Sequence, residues 1–246
     1  MDGMVLGFFL LAAFLGAVTT GVAGFAMGLV VSGIWLHILT PLQTVTLMVS
    51  YSVLLQAYGV WKLRHALAWR KVAPFIVSSA IGVPIGAMLL AHINPPHLRT
   101  GVGLLLLLYS IYYLARPVLK PVQGGLPADI GIGFLNGVLG GLTGLVGIVV
   151  VIWCQLRGWP KDVQRAVFQP VIITTSAMTA LWLGASGAVT ADTVKLFLLG
   201  LPMLLAGTWL GMKLYGRLDE ASFRKIVLIL LLLSGIFLVF PVSIFG

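Results

Sequence analysis

Gly16-Ala17-Val18-Thr19-Thr20-Gly21-Val22-Ala23-Gly24-Phe25-Ala26-Met27-Gly28 decides how this chain folds. The run lies inside residues 4–39, an apolar stretch too long for one simple bilayer crossing. A hydrocarbon core of about 30 Å takes about 20 apolar residues per helix. Two structures fit. One is a single long, tilted helix whose glycines pack against neighbours. The other is a pair of short half-helices that turn near mid-membrane. Residues 129–156 pose the same choice, interrupted by Gly137, Gly140, Gly141, Gly144 and Gly147.

The surroundings establish the membrane. Of 246 residues, 60% are hydrophobic and 9% charged, where a soluble domain carries about 25% charged residues. Mean hydropathy is +1.10. Eight apolar stretches follow one another, at 4–39, 43–61, 72–91, 97–115, 129–156, 163–184, 193–212 and 223–244, which leaves little for a soluble domain. The formal charge of +9 comes from lysines and arginines between these stretches. They read as topology signals at an anionic membrane face, with no nucleic-acid partner. Cys154 stands alone, so neither an internal disulfide nor a multi-cysteine metal site is expected. The start, Met1-Asp2-Gly3-Met4, lacks a basic leader and reads as a first membrane segment.

The fold expected is an all-α polytopic membrane protein of two inverted-topology repeats. Gly21 through Val30 matches Gly137 through Val146, Trp35 and Pro41 match Trp153 and Pro160, and Gly82, Gly86 and Arg99 match Gly207, Gly211 and Arg224 in the same order. The repeats would be residues 1–116 and 128–246, joined by a cytoplasmic linker at 117–127. Basic residues arbitrate the broken segments. If every stretch crosses once, the 15 lysines and arginines divide almost evenly between the two sides. If the first stretch of each half is a hairpin, Arg99 and Lys195 face one side and all the others the opposite side, as the positive-inside rule requires. Each repeat is then a glycine-broken hairpin plus three transmembrane helices, with both termini periplasmic in a bacterial inner membrane. Paired short crossings would give the same parity.

Irregular backbone at membrane depth survives only where protein buries it or a cavity hydrates it. Half-helix N-termini there offer N–H groups and partial positive charge to an anion. The expected lining is Thr19, Thr20, Gly21, Gly24 and Gly28 from the first half, with Asn136, Gly140, Gly141, Thr143 and Gly144 from the second. The bland alternative for the glycines is tight helix contact. Gln56 and Gln169, beside helix-breaking Pro170, add amides at depth. Arg165, one turn earlier, reads as an anion-attracting residue at the cytoplasmic mouth or a positive-inside charge. His37, His65, His92 and His97 show no metal-ligand spacing and read, like the tryptophans, as interfacial. The carboxylates Asp2, Asp129, Asp162, Asp192, Asp219 and Glu220 all sit at stretch ends, away from the depth at which proton relays place them. A small anion is therefore the better cargo, with no cofactor, no metal and no catalytic residue. An intramembrane enzyme or assembly factor is the remaining alternative; an enzyme would need a nucleophile and a base within reach, and no His/Glu/Asp cluster, Ser–Lys pair or Cys pair stands at depth.

Ala23-Gly24-Phe25-Ala26-Met27-Gly28, Gly137-Val138-Leu139-Gly140-Gly141-Leu142-Thr143-Gly144 and Gly82-Val83-Pro84-Ile85-Gly86 carry a resemblance across essentially the whole chain. It resembles the sulfite exporter TauE/SafE family. That resemblance implies inner-membrane transport, usually outward, of sulfite, organosulfonates or related sulfur oxyanions. Leu142 and Thr143 interrupt what is often a richer glycine run in the family. Another small organic or inorganic anion, with or without proton coupling, is the alternative cargo. The partners expected are the anion and the lipid bilayer, and a homodimer is left open.

Overall fold

The computed structural model describes residues 3–62, 69–90, 95–115, 121–185, 187 and 189–240. These residues form helices and no strand, as an apolar solvent demands: with no water to satisfy backbone N–H and C=O groups, each segment must bond them internally. In chain order the helices are α1 (Gly3–Ala23), α2 (Met27–Ile38), α3 (Pro41–Lys62), α4 (Trp69–Leu90), α5 (Pro95–Ala115), α6 (Leu126–Thr143), α7 (Ile148–Leu156), α8 (Lys161–Ala185), α9 (Ala191–Tyr215) and α10 (Glu220–Val239). Six of the eight apolar stretches become one helix each. The two glycine-interrupted stretches become two each, α1 with α2 and α6 with α7.

Among the described residues, α1, α4, α6, α8 and α9 are long and apolar enough to cross a bilayer. Large apolar side chains face outward, including Leu108, Leu181 and Leu205, where lipid replaces the water that a soluble fold would meet. Caps close the ends that leave the apolar layer. Thr190 Oγ1 accepts from the Thr193 N–H at 3.2 Å to start α9, and Asp219 accepts from the Ser222 N–H at 2.8 Å to start α10. The bond from Ser222 holds the Asp219 carboxyl below the usual carboxylate range.

Glycines set the closest helix approaches. A Cβ on Gly21 of α1 would meet Gly211 Cα of α9 at 2.7 Å, and one on Gly137 of α6 would meet Ser79 Cα of α4 at 2.7 Å. Lipid offers no hydrophobic gain to helix association, so backbones must come this near for dispersion to hold them. The main packing partners are α4 with α6, α1 with α9, α5 with α10, and α3 with α8. Every one of these pairs joins a helix before the 117–127 stretch to one after it. Within that stretch, residues 117–120 lie outside the described residues. Residues 121–125 have no regular structure, and Val122 N–H donates to Leu156 O at 2.8 Å.

The same end of the bundle gathers basic side chains. Arg157 pairs with Asp129 at 3.7 Å, its guanidinium lies over Trp159, and Lys71 lies over the same ring. The start of α4, the start of α6 and the α7–α8 turn are thereby brought together. Lys195, at the start of α9, pairs instead with Asp192 at 3.3 Å.

Candidate functional site

Both broken stretches turn back on themselves. Phe9 of α1 stacks on Trp35 of α2 with ring centroids 4.9 Å apart, and Trp35 Nε1 donates to Phe9 O at 3.3 Å. In the second stretch Trp153 Nε1 of α7 donates to Asp129 of α6 at 2.7 Å. These tryptophans, expected at the interface, are buried and fasten the hairpins; Trp61, Trp69 and Trp209 are exposed. The side chains of the four histidines lie outside the described residues. The hairpins differ from two equal half-helices. Their arms have 21 and 12 residues in one case and 18 and 9 in the other. At a rise of about 1.5 Å per residue, α1 alone is about 32 Å long. The glycines responsible for the turns stand at its end rather than at its middle.

Only glycine accommodates the turns. Gly24 has φ of +90°, Gly144 of +71° and Gly147 of +94°, the left-handed region that costs a Cβ-bearing residue energy. Gly24 N–H donates to Thr20 O at 2.6 Å and Gly144 N–H to Gly140 O at 3.0 Å, so each glycine ends its helix. Beyond the turns, the first residues of α2 and α7 approach each other. Phe25, Gly28, Ser52, Gly144, Val146 and Ile148 surround a cavity of about 10 Å³, room for about one water. The site is closed in this conformation.

The two turns are held differently. At the first, Arg165 of α8 is 1% exposed. Its Nη1 donates to Gly21 O at 3.1 Å and to Val22 O at 3.4 Å, carbonyls in the last turn of α1. Its Nη2 reaches Met212 Sδ at 3.4 Å. With the Gln169 amide oxygen turned toward it, that oxygen accepts from Nη2 at 2.9 Å and Nε at 3.2 Å. The guanidinium lies 4.1 Å from the centre of the Tyr215 ring, and the Tyr215 hydroxyl donates to Asp162. Gln56 of α3 closes the turn from the other side, donating through Nε2 to Gly24 O at 2.7 Å.

At the second turn the brace is neutral. Asn136 Oδ1 accepts from Gly147 N–H at 2.8 Å. Its Nδ2 donates to Ser79 Oγ at 3.3 Å and lies 3.5 Å from Thr175 Oγ1. Ser79 in turn donates to Gly133 O at 2.7 Å. Every polar atom of Asn136 is engaged.

The expected residues therefore separate. Gly24, Gly28 and Gly144 stand at the turns. Gln56, Arg165, Gln169 and Asn136 brace them. Gly21 is spent on the α9 contact and Gly141 on α4, where a Cβ would meet Ala87 N at 2.9 Å. Gly140 faces Thr175 and Val146. The Thr19 hydroxyl bonds back to Leu15 O at 2.9 Å. Thr143 bonds back to Leu139 O at 2.7 Å and accepts from Leu145 N–H at 3.1 Å. The Thr20 hydroxyl is buried without a partner. Arg165 does not sit at a solvated mouth: the close approach of α1 to α9 and the Phe168 ring over Gly24 enclose it. Ser79, Met212 and Tyr215, not singled out from the sequence, complete the two braces with Gly147, named there only as an interrupting glycine. For Tyr215 and Met212 the sequence holds no signal, since they join Arg165 only through the fold. Among the described residues no cluster of His, Cys, Asp and Glu could hold a metal.

The chain is 28% identical over 240 residues to a protein of Cupriavidus necator described as "Probable sulfite/organosulfonate exporter TauE", covering 94% of this chain and 93% of that one. No solved structure matches. The sulfite exporter TauE/SafE profile matches residues 9–238. With a match of that extent laid over an all-helical fold built of bilayer-length apolar helices, this chain belongs to the sulfite exporter TauE/SafE family, whose members are membrane transporters rather than enzymes.

Proposed function

We propose that this chain exports sulfite or an organosulfonate across a bacterial inner membrane, with the anion passing between the two glycine turns. The observation that carries the reading is the meeting of those turns: the first residues of α2 and α7 share one small cavity with Gly28 and Gly144. Two helix starts aimed at one point favour negative charge there. The carboxylates support the same cargo. Asp129, Asp162 and Asp192 lie in first turns and Asp219 at a cap, so none of these four stands beside the cavity to repel an anion or bind a cation.

The orientation proposed puts the basic end, with Lys71, Arg157 and Lys161, in the cytoplasm and both termini in the periplasm. The two repeats, 1–116 and 128–246, would then be inverted relative to each other. The exchange pattern of packing fits that relation, because α1 on α9 has its counterpart in α6 on α4. With the cytoplasm negative, one negative charge moving outward gains about 2.3 kcal/mol per 100 mV. Efflux of sulfite and of sulfoacetate from proteoliposomes should steepen with inside-negative potential and persist after the proton gradient is collapsed. A strict requirement for the proton gradient defeats potential-driven export. Absence of efflux of either anion defeats the reading altogether.

A further inference from the structure

A guanidinium has five N–H donors and no acceptor. Buried as deeply as Arg165, it needs compensation for lost hydration. Its hydrogen-bond partners here are neutral: the Gly21 and Val22 carbonyls, the Gln169 amide, the Met212 thioether and the Tyr215 side chain. Ion pairs among the described residues include Arg157 with Asp129 and Lys195 with Asp192. Asp162, which begins the same helix, is taken by the Tyr215 hydroxyl, and the Tyr215 ring faces the guanidinium. Arg165 is therefore fully bonded, and the Asp162 carboxylate acts on it through space, across Tyr215, rather than in the fork of the guanidinium. Thioether sulfur is a weak acceptor, and helix-end carbonyls carry only a fraction of a charge. A tetrahedral or pyramidal oxyanion presents two oxygens at the spacing of the guanidinium fork and a full charge.

We propose that Arg165 is the charge partner of the transported oxyanion, and that the α1 carbonyls of Gly21 and Val22 occupy the oxyanion's place in this closed conformation. The proposal rests on the anion-export reading above and deepens it. Binding is displacement. An oxyanion takes Nη1 and releases the end of α1. The two freed carbonyls must then find water or other donors, which moves them from their buried place. The next turn already contains the residue that absorbs such a change, Gly24 at φ +90°. The Thr20 hydroxyl, 3% exposed and without a hydrogen-bond partner, offers a donor in the same turn of α1. Substrate binding and opening of the first hairpin are then one event, and an ion that contacts the guanidinium at a single point displaces the carbonyls poorly.

The test uses the full chain in detergent and in proteoliposomes. Sulfite binding is measured by calorimetry, and backbone hydrogen exchange of residues 20–26 by mass spectrometry, with chloride at equal ionic strength as the control ion. For the unaltered chain, sulfite should speed exchange over 20–26 and chloride should not. Arg165→Lys keeps the charge but loses the fork. It should bind sulfite about tenfold or more weakly, with maximal efflux less affected than affinity. Arg165→Gln should lose binding and show fast exchange over 20–26 without sulfite. If Arg165→Lys melts earlier but binds sulfite as the unaltered chain does, Arg165 is only a structural brace and the proposal falls, while the export reading stands. If sulfite binds without changing exchange over 20–26, displacement falls. If the unaltered chain neither binds nor exports sulfite or sulfoacetate, both readings fall together.

Discussion

The turn at Gly24 and the turn at Gly144–Gly147 do the same geometric job with opposite chemistry. The first is held from another helix, by a buried cation on α8 that grips helix-end carbonyls. The second is held from within its own hairpin, by an α6 amide that accepts the Gly147 N–H. The nearest neighbours of the two glycines differ in kind. A Cβ on Gly24 would meet Phe168 at 2.6 Å and Arg165 Nε at 3.1 Å, while one on Gly144 would meet the Val45 side chain at 3.0 Å. A charge-assisted grip can be competed for by an anion; an amide whose every atom is matched to a neutral partner cannot. On the displacement proposed for Arg165, two turns that look alike in sequence would be a releasable one and a fixed one.

Four substitutions sharpen or break that contrast. The largest effect should come from Asn136→Leu. It leaves the Gly147 N–H buried without an acceptor and unties Ser79 and Thr175, a loss of about 3 kcal/mol. The thermal midpoint in detergent should fall sharply, with the sulfite affinity of the remaining folded protein little changed. A stable variant that no longer binds sulfite would make the second turn the binding one. Next come the glycines themselves. Forcing a Cβ into the left-handed region costs about 1–3 kcal/mol. Gly24→Ala should lie at the upper end, because Phe168 and Arg165 must also yield, and Gly144→Ala at the lower end. Denaturation of the two variants side by side reads the order, and a reversed order contradicts the packing described at Gly24. The smallest effect belongs to Gln56→Leu. It removes one bond to Gly24 O but also the buried, unpaired Oε1. A swap of that kind is worth about 1 kcal/mol or less, and a shift no larger in thermal midpoint than that from Gly144→Ala checks it.

Much of the fold was legible because the solvent is demanding. Bilayer-length apolar stretches must be helices, and the division of lysines and arginines favoured fold-back of 4–39 and 129–156, which the Phe9–Trp35 and Asp129–Trp153 contacts display. The site was less legible, because glycine writes three roles with one letter. Gly21 and Gly141 read as lining and serve helix contact; Gly24 and Gly144 read alike and make turns. Backbone dihedral angle distinguishes them, and no local spacing encodes it. Arg165 defied reading for a different reason. A basic residue ahead of an apolar run normally marks a membrane face. Its burial depends on the α1 end, 144 residues away in the chain, and on Met212 and Tyr215, which reach it from α9.

The cavity between the turns has a consequence for electrical insulation. A membrane that stores energy as a proton gradient tolerates no continuous thread of water through its proteins, since protons hop along such threads. A space of about 10 Å³ holds about one water, and the Ser52 hydroxyl is the polar side chain among the apolar ones around it. On the proposed anion path, a space this small breaks the water thread at rest, so the route that carries an anion would not also conduct protons.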